Sequence, residues 1–169
     1  MSSSADQLSV SLIGMPGSGK STTGVLLAKQ LKLNFVDTDL LIQTTTGVTL
    51  NQFINNHGVT ALREKEQEVI LTIATAQQVI ATGGSAVYGK AAMAHLRKGS
   101  IIVFLDITYE TMIQRLGDFT ERGIAKPESM SLEAMFEERL ALYRNCAEVT
   151  VDANLSAEQV CQSIRQAIL

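Results

Sequence analysis

The sequence predicts an α/β fold with a parallel sheet covered by helices on both faces, and three observations predict it. Short apolar runs alternate along the chain with longer stretches of helical period. Apolar residues make up 46% of the 169 residues and charged residues 18%, which is ample material for a core and too little charge for a disordered chain. No internal repeat, low-complexity tract or Pro- or Gly-rich linker divides the sequence, so residues 1–169 are expected to form one domain.

The first strand candidate is Leu8 to Ile13, and Thr22 to Leu31 follows with helical period, its apolar positions including Val25, Leu26 and Ala28. Leu33 to Val36 is the second strand. Thr49 with Gln52 forms a capping box that opens a short helix carrying Phe53 and Ile54. A longer helix is predicted over 59–76, with Leu62, Val69, Ile70 and Ile73 inward. Val79 to Ala81, Ile101 to Leu105 and Val149 to Val151 supply three further strands. The last helix, 156–168, sets Val160, Cys161, Ile164 and Ile168 on one face and opens with a second capping box, Ser156 with Gln159. Gly117 to Ser129 breaks the pattern: it is polar, holds Gly123, Pro127 and five charged residues, and has no apolar period. A stretch of this kind within a compact domain reads as a lid.

Several classes are excluded. The net charge of −3 disfavours a general nucleic-acid binder. Cys146 and Cys161 have no metal-ligand spacing and read as bystander thiols in a reducing cytosol, while His57 and His95 sit in no ligand motif. The N-terminus lacks the basic start and apolar stretch of a signal peptide, and no apolar run approaches the ~20 residues that cross a bilayer. A cytoplasmic protein with no nucleic-acid or membrane partner is expected, and a monomer.

The strongest motif is Gly14-Met-Pro-Gly17-Ser18-Gly19-Lys20-Ser21, which matches G-x-x-x-x-G-K-[ST] between a strand and a helix. Glycines let successive backbone N–H groups turn inward around an anion, and the positive end of the following helix faces it. Lys20 is expected on the β- and γ-phosphates of a nucleotide, and the Ser21 hydroxyl on Mg²⁺. Gly17, Ser18, Gly19 and Thr22 complete the cradle. No Asn-Lys-x-Asp guanine motif is present. Asp106 closes an apolar strand but is followed by Ile107 instead of Glu, so it reads as the end of a core strand.

Beyond the second strand lies Asp37-Thr38-Asp39. Carboxylates at the C-terminal end of a strand stand where open α/β sheets bind ligands. One acid can orient metal-bound water and the other can accept a proton from a hydroxyl nucleophile. The competing reading makes Asp39 the N-cap of a helix through Leu40 and Ile42. Arg63, the turn Gly83-Gly84-Ser85, and Arg139 in Arg139-Leu-Ala-Leu-Tyr143 are further candidates. Each has a plain alternative: Arg63 pairing with Glu66 or Gln67 on a wet helix face, a simple loop, and one more charge beside Glu137 and Glu138.

In combination these motifs resemble the shikimate kinases, small P-loop kinases of the nucleoside-monophosphate-kinase fold. The resemblance runs from about Ser11 to Tyr143 through the phosphate loop, Phe35-Val-Asp-Thr-Asp39, Phe53…Gly58…Arg63-Glu64, Thr82-Gly-Gly84 and Arg139-x-x-Leu142-Tyr143. It implies a three-layer fold with a five-stranded parallel sheet in the order 2-3-1-4-5 and a lid loop over about 117–129. It implies ATP with Mg²⁺, and phosphorylation of the 3-hydroxyl of shikimate. Asp39 would bind the ring hydroxyls near the attacking one, and Asp37 would act through the magnesium shell. Arg63 and Arg139 would grip the substrate carboxylate, and Gly83 and Gly84 would offer backbone N–H groups, with acceptor-binding helices over about 39–63. Arg115 matches the adenine-stacking arginine and Arg122 the catalytic lid arginine. Ser85 stands where the family has a third glycine, Val59, Leu62 and Ala141 depart from its usual residues, and Gly123 departs in the lid. A side chain at Ser85 would narrow the substrate's approach or demand a φ that suits glycine. Two other readings keep the nucleotide half: a kinase of another hydroxy acid such as gluconate, and a catalytically silent nucleotide-binding regulator.

Overall fold

The computed structural model describes residues 8–117 and 123–169. Five strands, β1 (Val10–Gly14), β2 (Asn34–Asp37), β3 (Gln78–Ala81), β4 (Ile101–Asp106) and β5 (Val149–Asp152), pair in parallel in the order β2-β3-β1-β4-β5. Val10 of the central strand lies between Val79 and Ile101. All five residues of β1 are buried, so its serine must be satisfied internally. Ser11 Oγ meets Ser100 Oγ at 2.6 Å, and Ser9 Oγ just before the strand accepts the Gln78 N–H at 3.1 Å.

Seven helices connect and cover the described strands: α1 (Lys20–Leu31), α2 (Thr38–Thr46), α3 (Leu50–Thr72), α4 (Lys90–Gly99), α5 (Tyr109–Leu116), α6 (Leu132–Cys146) and α7 (Ala157–Ile168). Helix α7 packs on α1, α4 on α3, and α2 on α3. Both expected capping boxes form, at Thr49 and at Ser156. The main core gathers residues such as Leu12, Leu27, Ile80, Leu96 and Phe104, all with no exposed surface. Each contributes about 1.5–3 kcal/mol from burial. A second, smaller cluster of Ile42, Phe53, Leu62, Val69 and Ala125 joins α2 and α3 to the segment before α6. None of the described helices is long and apolar enough to cross a membrane.

The structure revises one helix. The short helix at Thr49 and the longer one at 59–76 are two arms of α3, separated at Gly58, whose φ of 88° and ψ of 171° are not helical. The second arm stops at Thr72, because Ile73 turns extended (φ −76°, ψ 125°) to bury its side chain in the main core. The parallel topology brings the C-terminal ends of β1, β2 and β3 to one edge, where the candidate site is built.

Candidate active site

Strand β1 ends at Gly14, and the loop that follows enters α1 through Gly19, whose left-handed φ of 89° suits glycine. Helix α1 has no side-chain cap and no acidic residue in its first turn, so its positive end is left for an anion. Lys20 is 8% exposed and donates to the carbonyls of Gly14 and Met15, both at 2.8 Å. Burial lowers its pKa to about 8, against the opposing pull of Asp39. Ser18 is buried beside it, Oγ to Nζ 3.4 Å. Ser21 Oγ donates to Asp37 Oδ2 at 2.5 Å.

The carboxylates of the second strand divide differently from the N-cap expectation. Asp37, not Asp39, caps α2: its Oδ1 accepts the N–H groups of Asp39 at 3.0 Å and Leu40 at 3.2 Å. That leaves the Asp39 side chain to line the cleft. Burial raises the Asp39 pKa to about 6, moderated by Lys20. Thr38 Oγ1 accepts the Gly83 N–H at 3.0 Å, so that donor serves the fold. A Cβ on Gly83 would overlap Glu66 Oε1 and stand 2.7 Å from Asp39 Oδ1, which shows how closely the two carboxyls flank this turn.

The plain alternative for Arg63, a pairing on a wet helix face, is overturned at Glu66. Glu66 is not on a wet helix face; it is 3% exposed, borders the cleft, and accepts a hydrogen bond from the Ser85 hydroxyl. Burial, with Asp39 nearby, raises its pKa to about 7. The signal was in the period: 62, 66, 69 and 70 form one helical stripe, and a carboxylate in an otherwise apolar stripe needs a reason to be there. Ser85 adopts φ −100° and ψ 4°, so its side chain costs no glycine-type strain.

Arg63 and Arg139 come from different helices and meet at one atom. Arg139 Nη2 donates to the Ala125 carbonyl at 2.5 Å and Arg63 Nη2 to the same oxygen at 3.4 Å. Arg139 is 1% exposed, and the Nε atoms of both arginines are buried with no hydrogen-bond partner. Gly84 lets Arg139 approach, since a Cβ there would lie 3.1 Å from Nη1. Tyr143 Oη donates to the Gly84 carbonyl and fixes the turn. Arg115 ties the phosphate loop to β5's exit, donating to the Gly17 carbonyl at 3.3 Å and the Leu155 carbonyl at 3.4 Å.

One cleft of about 510 Å³ contains both halves, lined by Gly17, Gly19, Lys20, Ser21 and Thr22 on one side and Asp39, Glu66, Gly84 and Arg139 on the other. Arg115 and residues 123–125 also border it, and Ala125 belongs to the second core, so the far end of the expected lid is packed and not loose. Arg63, Gly83 and Asp106 do not contribute to this lining. Arg122 lies outside the described residues.

The family model for shikimate kinase matches residues 16–169. Among curated proteins, a shikimate kinase of Francisella tularensis subsp. novicida (strain U112) is 38% identical over 147 residues, covering 85% of this chain and 84% of its own. Shikimate kinase 2 of Enterobacter sp. (strain 638) is 34% identical over 162 residues, 93% of each chain. Among solved structures, the shikimate kinase from Acinetobacter baumannii in complex with shikimate superposes with a TM-score of 0.88 at 31% identity, covering 96% of this chain and 94% of that one.

Proposed function

The chain belongs to the shikimate kinase family, and we propose that it transfers the γ-phosphoryl group of ATP to the 3-hydroxyl of shikimate. The observation that carries this reading is the convergence of Arg63 and Arg139 on the Ala125 carbonyl, where Arg139 and Ala125 border the cleft that holds Lys20. Two guanidiniums directed at one oxygen form a site for a carboxylate, since planar N–H forks match carboxylate oxygens. A neutral sugar would leave both charges without an anion. Charge-assisted hydrogen bonds are worth about 1.5–3 kcal/mol each, so the preference for an acidic acceptor is strong.

Gly17, Ser18, Gly19 and Thr22 cradle the phosphates, and Lys20 leaves its two carbonyl partners for the β- and γ-phosphates. Arg115 flanks the adenine. The Asp39 carboxylate orients the acceptor ring by its hydroxyls and takes the proton as the 3-hydroxyl oxygen bonds to phosphorus. The bond broken lies between the γ-phosphorus and the bridging oxygen, and ADP leaves with that oxygen. Gly84 lets the acceptor lie against backbone, and Gly83 leaves room for the two carboxyls beside it.

No group of three or more His, Cys, Asp or Glu among the described residues could cage a metal. The Ser21 hydroxyl hydrogen-bonded to Asp37 at the cleft's rim is a sparse, oxygen-only set. That suits Mg²⁺, which is held by few protein oxygens plus substrate phosphates. Ser21 would hold it directly and Asp37 through its water shell; when bound it would neutralise charge on the phosphates.

The test is ADP release from magnesium-ATP with shikimate, with gluconate, and with no acceptor. Turnover of about 1–100 s⁻¹ that requires shikimate is the expected result. Equal turnover on gluconate would favour another hydroxy acid, and tight nucleotide binding without turnover on either acceptor would favour the silent regulator.

A further inference from the structure

The arginine pair raises a problem that the function leaves open. Two buried cations side by side repel, and buried charges are ordinarily held by carboxylates. Among the described residues no carboxylate forms an ion pair with either arginine, although Glu66 lies near enough to Arg139 to feel its charge. The one ion pair among the described residues is Lys65 with Glu68, on the surface. Glu66, the nearest buried acid, is hydrogen-bonded to Ser85 and forms no ion pair with either arginine. What stands against Arg63 is an aromatic ring: its guanidinium carbon lies 3.8 Å from the centroid of Tyr88, and that of Arg139 lies 5.6 Å from the same centroid. Both are within the roughly 6 Å over which a ring face attracts a cation. Tyr88 ends the single 3₁₀ turn Ala86–Tyr88, and its hydroxyl donates to Glu138 Oε1 at 2.5 Å, one residue before Arg139 on α6. The ring is therefore tethered to the helix that carries the second arginine.

We propose that Tyr88 is a positioning residue for the acceptor's carboxylate: its ring holds Arg63, and more weakly Arg139, by cation–π contact, so that both guanidiniums stay in place with no carboxylate ion-paired to them. A carboxylate in the same position would hold the arginines equally well, but it would compete with the acceptor for their N–H groups. An aromatic face attracts the cation from above its plane and leaves the in-plane N–H fork pointing outward. The unpartnered Nε atoms and the shared Ala125 carbonyl are what this arrangement leaves behind: donors in surplus, waiting on a two-oxygen ligand. Tyr88 itself does not line the cleft, so its effect on the acceptor passes through the arginines.

This inference rests on the functional reading above, and the experiment separates the two. Acceptor KM, ATP KM and kcat are measured for the full chain, for Tyr88→Leu and for Tyr88→Phe, and the inhibition constant of shikimate methyl ester is measured on each. Tyr88→Leu should raise the shikimate KM about tenfold, within the range that cation–π contacts span, while ATP KM stays within about twofold. Tyr88→Phe keeps the ring and should stay within about threefold of the parent. The ester lacks the negative charge, so its inhibition constant should not follow the loss. A parent chain with no turnover on shikimate overturns the functional reading, and this inference with it. An active parent whose shikimate KM is unmoved by Tyr88→Leu overturns the ring platform alone, as does Tyr88→Phe matching Tyr88→Leu, or an equal loss for the ester. Should Tyr88→Leu fail to fold, Tyr88→Met, which also lacks a π face, carries the same expectations and the same overturning results.

Discussion

The two walls of the cleft are made in opposite ways. The proposed phosphate wall is eight consecutive residues, Gly14 to Ser21, and would work largely through backbone N–H groups and a helix terminus. The proposed acceptor wall takes Asp39, Glu66, Gly84 and Arg139 from four separate segments and would work through charged side chains, two of them, Glu66 and Arg139, buried. A wall of contiguous backbone needs only the local turn to be right. A wall of converging side chains needs the whole tertiary structure, and each charge in it must be compensated or left deliberately open. Loss of Lys20 should therefore stop chemistry without disturbing acceptor binding, and loss of Arg139 should chiefly weaken acceptor binding.

Lys20→Ala tests the first half of that statement and has the largest expected effect. The lysine's hydrogen bonds are to two carbonyls of its own loop and to Ser18, so the fold should survive while turnover falls at least about a hundredfold, the loss typical of removing one preorganised charge contact. Acceptor affinity, measured by calorimetry without nucleotide, should hardly move. Near-normal turnover would break the comparison. Because Lys20 has a pKa of about 8, the parent's kcat/KM for ATP should also decline above that pH, as the ammonium loses its proton.

Arg139→Ala is the mirror experiment. Its Nη2 is one of the two that meet at the Ala125 carbonyl, and the loss of one or two charge-assisted bonds should raise the acceptor KM about 10- to 100-fold with ATP KM little changed. An unchanged acceptor KM would take Arg139 out of the site.

The same contrast decides what could be read without coordinates. The loop motif, the capping boxes at Thr49 and Ser156 and the strand alternation are local patterns, and each appears where the sequence places it. The sheet order followed from resemblance, because nothing in Val79 to Ala81 states that it will lie between β1 and β2. The cap of α2 falls on Asp37, two residues before the Asp39 of the competing reading, since both are good capping residues and only the backbone of β2 decides between them. Tyr88 was invisible: its meaning comes from Arg63, 25 positions earlier, and from Glu138, 50 positions later. Glu66 was visible as a charge in an apolar stripe, but its partner Ser85 lies on another element.

A pH profile sharpens the acceptor wall further. Asp39 and Glu66 face one another across Gly83 with pKa values of about 6 and about 7. Lys20 and Arg139 face them from α1 and α6. Both carboxyls are raised, so the ionised form proposed to orient the acceptor is lost as pH falls. The kcat/KM for shikimate should drop about tenfold between pH 7 and pH 5, in a limb that belongs to the coupled pair. Glu66→Gln should leave a single limb near pH 6; a limb that disappears in this variant would assign the titration to Glu66 alone.

The smallest effect concerns Ser85, whose hydroxyl donates to Glu66 and stabilises its ionised form. Removing that donor in Ser85→Ala should lift the Glu66 pKa by roughly one unit, about 1.4 kcal/mol, at the low end for a hydrogen bond to a charged group. The sign follows from linkage. Burial raises the Glu66 pKa to about 7 in the fold from an ordinary 4.5 in the unfolded chain, so its contribution to stability is fully present below pH 4.5 and lost as pH rises through 7. Ser85→Ala makes that loss larger and does so only where Glu66 is ionised. Its melting temperature should therefore fall below the parent's by more at pH 8 than at pH 5. An equal decrease at both pH values would mean that Ser85 merely fills space, and that the buried carboxylate of the acceptor wall is held by something other than this hydroxyl.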